Sequence, residues 1–287
     1  MKNTLLLISL WFLAIIITLA AATYQRKTGP TYPKKITTNV KGIEYESKLI
    51  RSHGGETDAP VTLSISDENI TAKLKYKIFP PKKDEEWIDV DFAREQNKKG
   101  ESVLVAKLPY QPPAGKLMYY IEINNENKVE AIFKEEPIVI RFKGDVPAGV
   151  LIPHIFFMFF AMMFANVAGL FAIAKRSKTK LYTTITFFLM LVGGMILGPV
   201  VQKYAFLEYW AGVPFGWDLT DNKMLIAFVF WLIAFVGNFK ADRKYLTIIA
   251  SIVTLIIFSI PHSMYGSELD RETGEVIQGF INLIPFF

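Results

Sequence analysis

The sequence contains no cysteine. Disulfides, thiol nucleophiles, cysteine-ligated metals and covalently attached c-type haem are therefore all excluded. Histidine is nearly as scarce, with three residues in 287: His53, His154 and His262. No glycine-rich phosphate loop, nucleophile–base pair or hydrolase-like carboxylate pair stands out, so nothing commits the chain to catalysis. A basic stripe is missing too. The formal net charge is +5, but residues 24–146 hold 21 Lys and Arg against 19 Asp and Glu. The excess lies mainly in short connections elsewhere, a pattern of membrane topology and not of nucleic-acid binding.

What the chain has in abundance is apolar surface. It is 51% hydrophobic and 14% aromatic, with mean hydropathy +0.27. These values indicate a membrane protein with a polar part. Residues 4–22 form an apolar run after Lys2. Ala20-Ala21-Ala22 suits signal peptidase, whereas the length, with Trp11 and Phe12 inside, suits a retained anchor. Both readings of residues 1–23 stay open. Residues 24–35, with Pro30, Pro33 and several cations, read as a linker.

From about 36 to 145 the hydrophobic period becomes two. Ile43-Tyr45, Val61-Leu63-Ile65, Leu74-Tyr76-Ile78, Ile88-Val90-Phe92, Val103-Val105-Leu108, Tyr119-Ile121-Ile123, Ile132 and Ile138-Ile140-Phe142 alternate with polar neighbours. Turn clusters at Gly54-Gly55, Pro80-Pro81, Lys98-Lys99-Gly100, Pro112-Pro113 and Asn124-Asn125 separate them. This pattern predicts an all-β immunoglobulin-like sandwich within 24–147. His53, in the Gly-rich turn, reads as a surface loop residue. Asp84-Glu85-Glu86 beside Trp87 reads as a solvated strand approach.

Four apolar runs follow, at about 149–174, 181–201, 222–238 and 245–262. Each suits a helix crossing a hydrocarbon core of ~30 Å. They predict a four-helix transmembrane bundle within 148–264, followed by a tail at 265–287. Lys175, Arg176, Lys178 and Lys180 crowd the first connection, and Lys240, Arg243 and Lys244 the third, so both are expected to be cytoplasmic. The β domain, the loop at 202–221 and the tail are then extracytoplasmic.

The outer loop contains Tyr-Trp-Ala-Gly-Val-Pro-Phe-Gly-Trp-Asp-Leu-Thr-Asp-Asn-Lys over 209–223. Joining two helices needs none of its aromatics, although Trp and Tyr also collect at membrane interfaces. Asp218 and Asp221 are candidates to cap the next helix. His154, after Pro153, and His262, after Pro261, are expected at the same outer surface. Two neutral imidazoles from two helices suit the bis-axial ligation of haem. Trp210, Phe215 and Trp217 would cover the macrocycle, and Asp218 would orient the loop or meet a haem edge. Gly193, Gly194 and Gly198 permit close helix packing or approach to a flat ligand.

In these residues the membrane part resembles the haem-handling proteins of cytochrome c biogenesis, known for an external loop Trp-Gly-x-x-Trp-x-Trp-Asp-x-x-Glu. Trp210, Gly212, Phe215, Trp217, Asp218 and Asp221 follow that order, with one residue inserted and Phe215 in place of the middle Trp. Pro-His-Ile-Phe-Phe-Met at 153–158 is similar to the family's first external histidine span. His262-Ser263-Met264-Tyr265-Gly266 is similar to its second motif, with Met264 inserted. The resemblance covers about residues 150–270 and implies non-covalent b-type haem held by His154 and His262. It further implies haem delivery in a bacterial inner membrane, with an apocytochrome or another assembly subunit as partner. Two other readings are a haem b electron-transfer subunit of a respiratory complex and a non-haem, membrane-anchored immunoglobulin-like interaction module.

Overall fold

The computed structural model describes residues 2–40, 43–125, 128–261, 268–274 and 276–277. The chain divides into a helical unit, Met1–Pro30 with Val146–Ser267 and Gln278–Phe287, and a β unit, Thr31–Asp145 with Glu268–Ile277.

In the β unit the period-two segments form strands because alternate side chains reach one buried face. One sheet runs β3 (Ser52–Gly54), β11 (Ile138–Lys143), β9 (Lys116–Asn125), β5 (Thr71–Ile78) and β6 (Ile88–Asp91), with β10 (Lys128–Ile132) also on β9. A second runs β4 (Ala59–Leu63), β8 (Ser102–Leu108) and β7 (Ala93–Gln96). The chain passes from β6 to β7 through Phe92, whose N–H donates to Ala72 O at 3.1 Å. Leu63, Leu74, Leu104, Leu117, Ile121, Ile140 and Phe142, drawn from both sheets, share one core. Tyr119 is fully buried and its hydroxyl donates to Ile50 O at 2.8 Å. On the outer face of β5, Lys75 pairs with Asp89 across the strands at 2.9 Å.

Several features of this unit are absent from the sequence pattern. β1 (Lys34–Val40) and β2 (Ile43–Leu49) form a separate hairpin, so the expected linker already ends in strand. His53 is not in a turn: it lies on β3, paired in parallel with β11, and its ring meets Phe142 edge-on at 5.8 Å. The tail supplies β12 (Glu268–Leu269) and β13 (Val276–Ile277). Lys116 Nζ donates to Glu268 at 2.6 Å, and Arg271 pairs with Glu85 at 3.0 Å. Burial lowers the affinity of Lys116 for its proton, and Glu268 works against that shift.

The helical unit consists of α1 (Lys2–Thr28), α2 (Ala148–Ile173), α3 (Thr179–Met190), a π-helical segment (Leu191–Leu197), α4 (Gly198–Phe206), α5 (Leu219–Lys240) and α6 (Lys244–Ser259). Four helices are long and apolar enough to cross a membrane: Thr4–Thr28, Ala148–Ile173, the continuous Thr179–Phe206, and Leu219–Lys240. α6 is shorter, with 16 residues, or about 24 Å at the α-helical rise. Small residues let α2 approach its neighbours closely. Ala161, Ala165, Ala168 and Ala172 are buried, and a Cβ on Gly169 would fall 2.2 Å from Ser251 Oγ. α1 belongs to this packing. Ala14 and Thr18 are fully buried, Trp11 meets Phe164 and Tyr182 edge-on at 5.6 Å, and Asn166 Nδ2 donates to Thr18 Oγ1 at 3.0 Å.

Candidate functional site at the ends of the helices

His154 stands in the second turn of α2, directly after Pro153, the proline inside that helix. Its ring nitrogen Nδ1 lies 2.9 Å from Gly193 O. A carbonyl only accepts, so Nδ1 carries the proton and donates, which leaves Nε2 with a lone pair. The same carbonyl accepts the N–H of Gly198 in the wide i-to-i+5 register of the π segment. Such π turns inside α-helices are frequent at functional sites.

The π segment can come this near α2 because Gly193 has no side chain. A Cβ there would lie 2.8 Å from Phe157 Cβ, 3.1 Å from Met158 Sδ and 3.2 Å from the backbone nitrogen of Met158. Gly198 also borders the imidazole, since a Cβ there would be 3.9 Å from His154 Cε1. Gly194 faces Met224 instead.

The aromatic loop spans 207–218, because α4 continues to Phe206. Its backbone is tied to the start of α5. Asp218 is the N-cap, and its carboxylate accepts from the N–H groups of Thr220 and Asp221; the capping expected of it is what the structure has. Asp221 Oδ2 accepts from Ala211 N at 2.7 Å, and Asn222 Oδ1 from Val213 N at 2.8 Å. Trp210 Nε1 donates to Val213 O at 3.1 Å, and the N–H groups of Phe215 and Gly216 both donate to Gly212 O. Gly212 is required by contact: a Cβ would meet Asn222 Oδ1 and Asp221 Cβ at 2.8 Å. On this fixed backbone Phe215 is 83% and Trp217 80% exposed. In the same loop Glu208 has its proton affinity raised, by burial first and then by Asp218, against the effect of Lys203.

The predicted residues thus fall into two groups. His154 joins Gly193 and Gly198. Trp210, Phe215, Trp217, Asp218 and Asp221 form the loop mounted on α5. Gly193 and the loop's first residue, Leu207, are separated by 14 positions of helix, about 20 Å along the axis. His262 lies outside the described residues. Pro261, which precedes it, is described: its carbonyl and that of Ile260 accept hydrogen bonds from Lys223 Nζ at 3.1 and 2.9 Å.

Sequence reasoning missed Lys223 and the π segment. The signal for Lys223 was an isolated cation at the start of an apolar span. The signal for the π segment was the adjacent pair Gly193-Gly194, which weakens an α-helix. Among the described residues no group of three or more metal-binding side chains occurs, and two axial imidazoles on haem iron require none. Compared with known proteins, the chain matches no protein-family model and no curated protein.

Proposed function

We propose that the helical unit binds b-type haem non-covalently at the outer face of a bacterial cytoplasmic membrane and holds or delivers it for cytochrome c assembly. The observation that carries this reading is His154 itself. Its Nδ1–H is committed to Gly193 O, so the ring is oriented and the lone pair of Nε2 is left for a metal, as second-shell hydrogen bonds prepare metal-ligating imidazoles. His154 and His262 would hold the iron. Trp210, Phe215 and Trp217 would cover the macrocycle, on a loop whose shape Asp218 maintains through its cap. Bound haem supplies an iron centre whose spin state reports its axial ligands.

In this reading the β unit is an immunoglobulin-like sandwich that docks an apocytochrome or another assembly subunit. Its extracytoplasmic placement is supported by the cations at 175–180 and 240–244. A parity argument adds to this. The chain leaves the β unit at Asp145 and rejoins it at Glu268, and an even number of crossings in between would return it to the same side. Four crossings would satisfy this, the shorter apolar α6 supplying the fourth.

The test is haemin titration of the purified protein. Reduced complex should show the sharp α and β bands of six-coordinate low-spin b-type haem. His154→Ala and His262→Ala should each weaken binding or convert the spectrum to high-spin, and the double variant should lose specific binding. His53→Ala should change nothing. A second reading has an observation of its own, the exposure of Phe215 and Trp217 between two membrane spans, which also suits an interfacial aromatic belt. If wild type and double variant bind haemin equally with the same spectra, the belt replaces the haem site.

A further inference from the structure

We infer that Lys223 is a positioning residue: from α5 it gathers the end of α6 and, together with α1, fixes the position of Ile260 and Pro261, the last described residues before His262. Lys223 is 5% exposed and lies in the second turn of α5. A lysine that served only as a solvated cap for α6 would belong to the last turn of α6 itself and remain exposed. Instead the ammonium is reached across from another helix and buried. Burial of a charge is tolerated only where hydrogen bonds replace lost water. Here two carbonyls replace it, those of Ile260 and Pro261.

The grip has a second side. Gln25 Nε2, near the end of α1, donates to the same Ile260 carbonyl at 3.3 Å. One turn further along, Gly29 is buried, and a Cβ on it would stand 4.0 Å from Pro261 Cβ. Two chain segments remote in sequence, the start of α5 and the end of α1, therefore converge on two consecutive residues. Those residues follow the C-terminus of α6, where four carbonyls lack intrahelical partners and where Ile260 is already extended. Among the described residues, the contacts that hold Ile260 and Pro261 come from Lys223 and α1. That this matters for a ligand at His262 rests on the haem reading, whereas the fixing of Pro261 does not.

The test uses the absence of cysteine. The 4.0 Å between the Gly29 and Pro261 Cβ positions lies in the range of a disulfide, about 3.5–4.5 Å. In membranes, Gly29→Cys/Pro261→Cys should lose both maleimide-reactive thiols rapidly on mild copper–phenanthroline oxidation. Adding Lys223→Met should slow that loss at least fivefold, and Lys223→Arg should keep it within twofold of the parent. Should Lys223→Met fail to fold, Gln25→Leu takes its place and should slow crosslinking at least twofold.

No crosslinking in the folded parent, or a Lys223→Met or substituted Gln25→Leu rate within experimental error of the parent, would overturn the proposal. Haemin supplies the second readout. With His154 and His262 intact, Lys223→Met should weaken haemin binding about tenfold, and the disulfide, once formed, should restore it. A disulfide that forms as expected but restores nothing would overturn the positioning role. Crosslinking that depends on Lys223 in a protein whose wild type binds no haemin would leave the grip standing and remove the haem reading instead.

Discussion

Replacing Gly193 with alanine should damage the His154 site more than the same change at either neighbouring glycine. The new Cβ would lie 2.8 Å from Phe157 Cβ and 3.2 Å from Met158 N, where ordinary contacts begin at 3.4 Å. Neither neighbour is the end of a flexible side chain, so α2 and the π segment must separate by about 0.6 Å, the difference between 3.4 and 2.8 Å. Taken along the 2.9 Å bond from His154 to Gly193 O, that shift lengthens it to about 3.5 Å, where little hydrogen bonding remains. Overpacking of this kind costs about 1–3 kcal/mol. Loss of an orienting partner typically weakens a metal site by about 10–100-fold.

For Gly194→Ala the three nearest atoms all belong to Met224, a side chain that can turn aside. Gly198→Ala meets His154 Cε1 at an unstrained 3.9 Å. All three changes gain the same helix propensity, about 1 kcal/mol, so their differences isolate the packing. Melting in detergent should rank Gly193→Ala lowest, and haemin titration should show at least a tenfold weaker Kd for it alone. If Gly193→Ala melts and binds haemin like Gly198→Ala, the carbonyl of Gly193 does not organise His154 and the reasoning fails.

Two further expectations concern the units separately. Reporters fused after Lys178 and after Glu272 should read cytoplasmic and external respectively; a cytoplasmic reading at Glu272 would break the even number of crossings. Tyr119→Phe should destabilise the β unit by about 1–2 kcal/mol, because it strands the Ile50 carbonyl without its hydroxyl donor. Denaturant unfolding of the purified β unit, Thr31–Asp145 joined to the tail strands, measures this, and an unchanged midpoint would refute it.

Much of the architecture was legible in one dimension because it depends on local periodicity. Alternation at Leu74-Tyr76-Ile78 and Tyr119-Ile121-Ile123 appears as β5 and β9, since a strand can bury only every second side chain. The apolar runs appear as α2, α3–α4 and α5, since a helix satisfies its own backbone. Asp218 as an N-cap was equally local, the cap bonding residues two and three positions away.

What the order of residues could not disclose was pairing between distant segments. Nothing near Glu268 and Arg271 announces that they meet Lys116 and Glu85, or that Glu268–Ile277 therefore belongs to the β unit. The linker reading of 24–35 failed because α1 keeps its helix to Thr28, where Gln25 is held by a carbonyl more than two hundred residues away. Of the candidate site, the residue types were visible and their partners were not. His154 could be named from its place at the head of a span, but its tautomer is set by a carbonyl of another helix, exposed to it through a glycine without a side chain. Lys223 looked like a stray cation at the edge of an apolar run; only packing against α6 turns its charge toward two carbonyls that its own helix could never supply.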